Sequence, residues 1–529
     1  MRKYRGNPWL VLLVVSLGFF MTLLDLTIVN IAIPNMITKL HASFDDILWV
    51  INAYALVLAV LLITAGRLGD LLGQRTVFFA GIALFTIASV ACGLAPSAGW
   101  LIGFRALQGL GAALLMPQTL ALLTIVFPAE KRGAAFGIWG AVAGVATVAG
   151  PTLGGLLVTA FDWRYIFFIN LPIGVIVLVL TVLLIPDLRT GRRHSFDIGG
   201  VILASLALLA ICYGLVEGQK YDWGKIAGFI SVPLLFGVGA VLLCLFIYAQ
   251  ARRQDNEPLV PFSLFKDRNY ALMNVVAGCI AIAMLGIFLP FSIYLQTVLG
   301  FSALKAGLTM APASVVAMFV APVAGRMTDR IGGKFILLSG LLLFAIGMGA
   351  IALIASTNSA WYVFLAPQFV AGVGIGCIFA PLTTVALRNV NPIMAGAASG
   401  VFNTTRQVGT VIGTAGVGAL LQNRLASAFA DQTLLRASHL PAAAQHKIIS
   451  GFQAAARSGL EVGSGHRTSG LGGAIFTHGF VQAMRPTMLV PIVFLLAGAV
   501  CCLFIKPQPS PGGLAVRAEV SEPKAAAAG

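Results

Sequence analysis

Apolar residues in this chain come in long blocks, not in alternation. Each block is long enough, at roughly 20 residues, to cross a bilayer as a helix. Fourteen such stretches are read, at about 9–33, 47–65, 76–95, 99–118, 134–158, 165–185, 198–216, 226–249, 270–293, 303–324, 335–355, 360–382, 395–421 and 486–505. The pair at 198–216 and 226–249 is parted only by a short loop carrying Glu217, Lys220, Asp222 and Lys225. The pattern predicts an all-α integral membrane protein with 14 transmembrane helices.

Composition removes the other classes. Of 529 residues, 59% are apolar and 10% charged, and the mean hydropathy is +0.95. A soluble chain carries about 25% charged residues, so a soluble enzyme, a disulfide scaffold and a disordered protein are all excluded. The seven cysteines lie in apolar runs without metal-ligand spacing and read as small core residues. Neither a metal cluster nor a G-x-x-x-x-G-K-(S/T) loop is present in the sequence. No cofactor and no enzymatic activity are expected.

The net charge of +16 would suggest nucleic acid in a soluble protein, but here its distribution matters more. When the connections are numbered alternately, one side holds 21 basic residues and the short loops opposite hold five: Lys39, Arg164, Lys220, Lys225 and Lys305. Positive residues stay cytoplasmic, which places both termini inside and requires an even helix count. The charged start and first apolar run resemble a signal peptide, yet the run is too long for one and no cleavage site follows, so it is expected to remain. Residues 422–485 are too polar to span and fall on the outer side. Within them, 424–436 and 441–457 are either amphipathic helices over the mouth or part of a solvated connector. The Pro/Ala-rich tail at 506–529 is expected to be disordered.

The chain also repeats itself. Gly66-Arg67-Leu68-Gly69-Asp70-Leu71-Leu72-Gly73-Gln74-Arg75 returns 259 residues later as Gly325-Arg326-Met327-Thr328-Asp329-Arg330-Ile331-Gly332-Gly333-Lys334. At an offset of 263, Gly109 and Gly111 pair with Gly372 and Gly374, Gly133 with Gly396, and Gly150 with Gly413. Repetition after eight helices implies two six-helix bundles plus two inserted helices. The expected units are 1–186, the inserted pair 187–250, 251–505 with the outer loop 422–485, and the tail 506–529. Bundles related by an axis along the membrane normal describe a transporter that rocks around a central site.

The ten-residue repeat resembles the signature between helices 2 and 3 of the major facilitator superfamily. Leu24 to Pro34, Arg105-x-x-Gln108-Gly109-x-Gly111, Gly150-Pro151-x-x-Gly154-Gly155 and Trp163 to Gly174 resemble its fourteen-helix drug:proton antiporter branch. That resemblance implies a monomeric exporter of hydrophobic or amphipathic small molecules in the cell (inner or plasma) membrane, driven by the proton gradient. Two alternatives stay open: a dedicated exporter of one metabolite or lipid, and a proton-coupled uptake symporter.

Of the 18 acidic residues, only Asp25 falls clearly inside a span. Ionisable residues in a membrane are costly and usually mark ion or proton pathways. Burial disfavours the charged carboxylate and a neighbouring arginine favours it, so the two together can poise a proton carrier. On helical rise Asp25 lies ~13 Å and Arg105 ~9 Å below the outer ends of their helices. Spacing does not decide whether they meet. The resemblance makes them the protonation carboxylate and its coupled arginine; the competing reading is an Arg105 that snorkels to the interface.

In the repeated loop, Gly66 and Gly73 are expected to shape a tight turn. Asp70 with Arg67 and Arg75, and Asp329 with Arg326 and Arg330, read either as a conformational latch that caps a helix N-terminus or as solvated topological charges. Gly150, Pro151, Gly154 and Gly155 allow close packing and bending, and the resemblance associates that motif with antiport. Substrate-cavity candidates are Asn30, Gln108, Gln296, Gln368, Asn403 and Arg406. Arg406 lies ~16 Å into its helix, where the first half has Ala143; it either binds anionic groups or organises carbonyls. Phe19, Phe20, Tyr54, Trp139, Phe288, Phe291 and Tyr294 line a cavity or fill core.

Overall fold

The computed structural model describes residues 6–42, 44–187, 197–218, 221–254, 258–436, 441, 445–446, 448–451 and 470–506. Its long helices are α1 (Pro8–Leu40), α2 (Phe44–Leu72), α3 (Gln74–Gly93), α4 (Ala98–Val126), α5 (Arg132–Ala160) and α6 (Tyr165–Leu184). Then follow α7 (Ile198–Glu217), α8 (Val232–Arg252), α9 (Arg268–Ile293), α10 (Ala303–Ile331) and α11 (Lys334–Ile354). The last are α12 (Trp361–Leu387), α13 (Ala395–Arg436) and α14 (Leu471–Leu503).

Side-chain caps start several of them. Asn7 accepts the Trp9 amide at α1, Asp197 the Gly200 amide at α7, and Asp267 the Asn269 amide at α9, each supplying an acceptor that the first turn lacks. Among the described residues, twelve helices are long and apolar enough to cross a membrane. That is two fewer than the fourteen stretches read from sequence; α5 and α13 are the two outside the count. In α5 the side chains at 147, 148 and 151 lie outside the described residues. In α13 the run Asn403-Thr404-Thr405-Arg406-Gln407 interrupts the apolar sequence.

Between α7 and α8 the expected loop contains a small antiparallel hairpin, β1 (Lys225–Ala227) and β2 (Ile230–Ser231). The turn places Gly228 at φ +53°, and α8 therefore starts at Val232, later than hydropathy alone suggests.

The outer segment also differs from expectation. Residues 424–436 continue α13 as one helix of 42 residues, ~63 Å long at 1.5 Å per residue. α14 begins at Leu471, well before the apolar run at 486. The extensions pair because Leu425, Ala428 and Phe429 form a helical stripe, with the Phe429 ring 5.7 Å from that of Phe476. Gln432 bonds Gln482 at 2.7 Å along the same seam. Most of 441–457 and nearly all of the tail from 507 onward lie outside the described residues.

α1 packs on α4 and α5, α2 and α3 on α4, and α6 on α3. In the second half α9 packs on α13 and α14, and α10 and α11 on α12. The α7–α8 pair leans on α2 and α13. The halves meet where α5 packs on α10 and α2 on α13.

The repeat is visible in these contacts. A Cβ on Gly111 would press on Phe85 and Gly81, and one on Gly374 would press on Phe344 and Gly340. Phe85 and Phe344, like Gly81 and Gly340, are 259 positions apart. Small residues admit the same close helix approach in both copies.

Candidate functional site

α1 and α4 bring Asp25 and Arg105 together. Arg105 Nη1 donates to Asp25 Oδ2 at 2.5 Å, and the two side chains are 0% and 1% exposed. Snorkelling is thereby ruled out for Arg105 in this structure. Its Nε donates to the Val50 carbonyl at 3.0 Å, and its guanidinium lies 4.4 Å from the centre of the Tyr54 ring. Tethers on α2 thus hold the cation in one place.

The carboxylate has further donors. Gln108 Nε2 reaches Asp25 Oδ1 at 2.9 Å, and Asn170 Nδ2 reaches the same oxygen at 3.4 Å. Gln108 Oε1 in turn accepts from Arg105 Nη1 at 2.7 Å. Ser89 accepts from Gln108 and Asn170 and donates to the Phe167 carbonyl. Five helices, α1, α2, α3, α4 and α6, close one buried polar cluster. Its members are arranged for a charged carboxylate, since every group aimed at Asp25 is a donor. The Asn170 Oδ1 has no hydrogen-bond partner.

Gln108 therefore belongs to this cluster. Arg105 and Gln108 are three residues apart and share one helix face, a signal the sequence contains. Nothing in the apolar surroundings of Ser89, Asn170 and the Val50 carbonyl marks in the sequence which face turns inward.

The repeated decapeptide forms two matching contacts between the halves. Asp70 accepts the amides of Gly396 and Ala397, each at 2.8 Å. Asp329 accepts the amides of Gly133 and Ala134 at 2.8 and 2.9 Å. Each carboxylate caps the first turn of the other half's helix, where orphan amides and the helix dipole favour negative charge. The decapeptide is mostly helix, not loop: α2 runs to Leu72 and α10 to Ile331.

Only Gly73 makes the expected turn, at φ +91°, with Gly332 matching it at +88°. Gly66 is helical, and its bare backbone lets α13 approach at Gly396 and Gly400. Of the arginines, Arg67 is buried, Arg75 donates to the Val182 carbonyl at 2.9 Å, and Arg326 and Arg330 are exposed.

Arg132, one of the basic residues on the cytoplasmic side of the sequence reading, also belongs to this end. It is 8% exposed and donates to the carbonyls of Thr124 and Phe127 at the end of α4 and of Leu387 and Arg388 at the end of α12. One guanidinium thus binds the C-terminal carbonyls of helices from both halves.

The remaining candidates are dispersed. A Cβ on Gly150 would collide with Thr27 Oγ1 on α1, two residues from Asp25, whereas Gly155 has open space. Gly154 is buried, and the Asn30 and Pro151 side chains lie outside the described residues. Gln296 sits on the π-turn Tyr294–Val298 and bonds Ser292. Asn403 donates to the Ser399 carbonyl. Gln368, at the position matching Arg105, is fully buried with neither amide atom bonded. Arg406 is half-buried, 5.6 Å from the centre of the Phe379 ring. Phe19 and Trp139 stack at 4.0 Å, and they, Tyr54, Phe291 and Tyr294 are core residues. Phe20 and Phe288 are half-buried.

Comparison with known proteins bears on the family and the fold. The family model of the Major Facilitator Superfamily matches residues 15–414. The tetracenomycin C resistance and export protein of Streptomyces glaucescens is 36% identical over 81% of this chain and 78% of its own. The multidrug resistance protein Stp of Mycobacterium tuberculosis is 36% identical over 78% of this chain and 75% of its own. A crystal structure of the human organic anion transporter MFSD10 shares the fold, with TM-score 0.56 at 14% identity over 92% of this chain and 99% of that one.

Proposed function

The chain belongs to the major facilitator superfamily, and on that premise we propose that it is a proton-coupled exporter of hydrophobic or amphipathic small molecules. The observation that carries the proposal is the buried Asp25–Arg105 pair, together with relatives named for resistance and export. The finer architecture goes with it: fourteen crossings, α5 and α13 included, arranged as six, two and six, with both termini cytoplasmic in the inner or plasma membrane. The protein works as a monomer and needs no cofactor, because the proton gradient supplies the energy.

Alternating access follows from the two contact regions. With Asp25 charged, Arg105, Gln108 and Asn170 converge on it and hold α1, α4 and α6 together. Protonation replaces an acceptor with an O–H donor and removes the counter-charge of Arg105. A turn of the Asn170 amide offers its unpartnered Oδ1 to that new donor. The cluster then loosens, and α1 shifts against α5, which it touches where Thr27 meets Ala146 and Gly150. At its other end α5 carries the amides that Asp329 caps, so motion of α5 bears on the latch. Inward movement of one proton supplies ~2.3 kcal/mol per 100 mV, plus any pH gradient.

A narrower reading, export of a single compound, is favoured by the relative named for tetracenomycin C, whereas the Stp name favours a broad range. An efflux panel in a pump-deficient bacterium separates them. The broad reading predicts raised tolerance to several unrelated compounds, and loss of it in an inserted Asp25→Asn variant. Undiminished gradient-driven efflux by that variant would overturn proton coupling through Asp25. Accumulation in inverted vesicles with an acidified lumen identifies export; its absence under the opposite gradient rules out uptake.

A further inference from the structure

Among the described residues, Arg406 has no counter-ion. It lies ~16 Å along α13 from Ala395, near mid-depth of a hydrocarbon layer ~30 Å thick. Among the described residues no carboxylate and no carbonyl hydrogen-bonds its guanidinium; the centre of the Phe379 ring lies 5.6 Å from it. Of the polar residues beside it, two are already engaged, while the buried Thr404 hydroxyl has no hydrogen-bond partner among the described residues. Asn403 donates to the Ser399 carbonyl, and Thr405 bonds Asn274 and the Val401 carbonyl.

The position is also central. Phe379 follows the break in α12 at Cys377 and Ile378, and its Cβ lies 3.2 Å from where a Cβ on Gly140 of α5 would stand. The guanidinium therefore lies beside the seam between the halves, on a residue that is half-buried. The repeat supplies no such group in the first half, where the matching residue is Ala143. Charges at this depth are retained where they face a substrate or ion path. An arginine there is suited to carboxylates, which it binds in bidentate fashion, and to stacking on aromatic rings.

We propose that Arg406 and Phe379 form an anion subsite. Arg406 pairs with a carboxylate or ionised phenol of the transported compound, and Phe379 stacks on the aromatic body that bears it. The proposal deepens the small-molecule exporter reading and rests on it for the word substrate, but binding alone tests it.

The full chain in nanodiscs is titrated with carboxyfluorescein, 2-naphthoate and salicylate, and with the methyl ester of each. Wild type should bind at least one acid about tenfold more tightly than its ester. Arg406→Gln should weaken that acid to the level of the ester and leave the ester unchanged, while Phe379→Ala should weaken both. Should Arg406→Gln fail to fold, Arg406→Lys reads the same preference and should lower the acid-to-ester ratio about threefold. Equal binding of every acid and its ester by wild type, or equal losses for both on substitution at 406, would overturn the subsite. No gradient or flux is needed, so failure of the export reading registers separately, in vesicles.

Discussion

Asp70 and Asp329, 259 residues apart, each cap the first turn of a helix in the opposite half of the chain. The two contacts have the same two-amide geometry and distances of 2.8 to 2.9 Å. Because they are reciprocal, both must release before the halves can separate at this end.

Asp70→Asn keeps the shape but removes the charge that favours the helix terminus, a loss of about 0.3–1 kcal/mol at an exposed site and up to ~2 kcal/mol when partly buried. Hydrogen–deuterium exchange should therefore rise at 395–400 in Asp70→Asn and at 132–137 in Asp329→Asn. Unchanged exchange at both segments would show that neither carboxylate holds the end closed.

Removing Arg105 strands a buried carboxylate. Arg105→Ala is expected to destabilise by about 3–5 kcal/mol, the range for breaking one partner of a buried pair. Adding Asp25→Asn should recover part of that loss, because the uncompensated charge disappears. Thermal unfolding in detergent reads both effects, and strictly additive losses would contradict the pairing.

Gly150 and Gly155 belong to one motif but should respond differently. Gly150→Ala places a methyl group against Thr27 Oγ1, whereas Gly155→Ala meets nothing within 4 Å. Efflux should fall several-fold in the first and remain near wild type in the second. Thr27→Ala should partly rescue Gly150→Ala, since it removes the colliding oxygen. Equal behaviour of the two alanine variants would argue against the α1–α5 contact as the reason for the motif.

Much of this was legible in the residues because of simple lengths. Apolar runs of bilayer length located the helices, and the helical rise set Asp25 and Arg105 at similar depths. The recurrence of G-R-x-x-D-x-x-G by itself pairs α2 with α10. Rotation about the helix axes was not legible: interior helices are apolar on every side, so nothing marked Ser89, Asn170 or the Val50 carbonyl as facing Asp25. Arg132 was hidden for the opposite reason, as one basic residue among many that orient the chain. The α13–α14 extension escaped a reading tuned to lipid, since Phe429, Phe476 and their neighbours bury apolar surface against each other beyond the bilayer-length runs.

Proton release on substrate binding tests the role of Asp25 most directly. Purified wild-type protein in weakly buffered detergent solution, mixed with the best compound from the efflux panel, should release about one proton per molecule bound, followed with a pH indicator. Asp25→Asn should bind the compound and release none. Equal release from both proteins, or binding by wild type with no proton exchanged at any pH, would contradict the account.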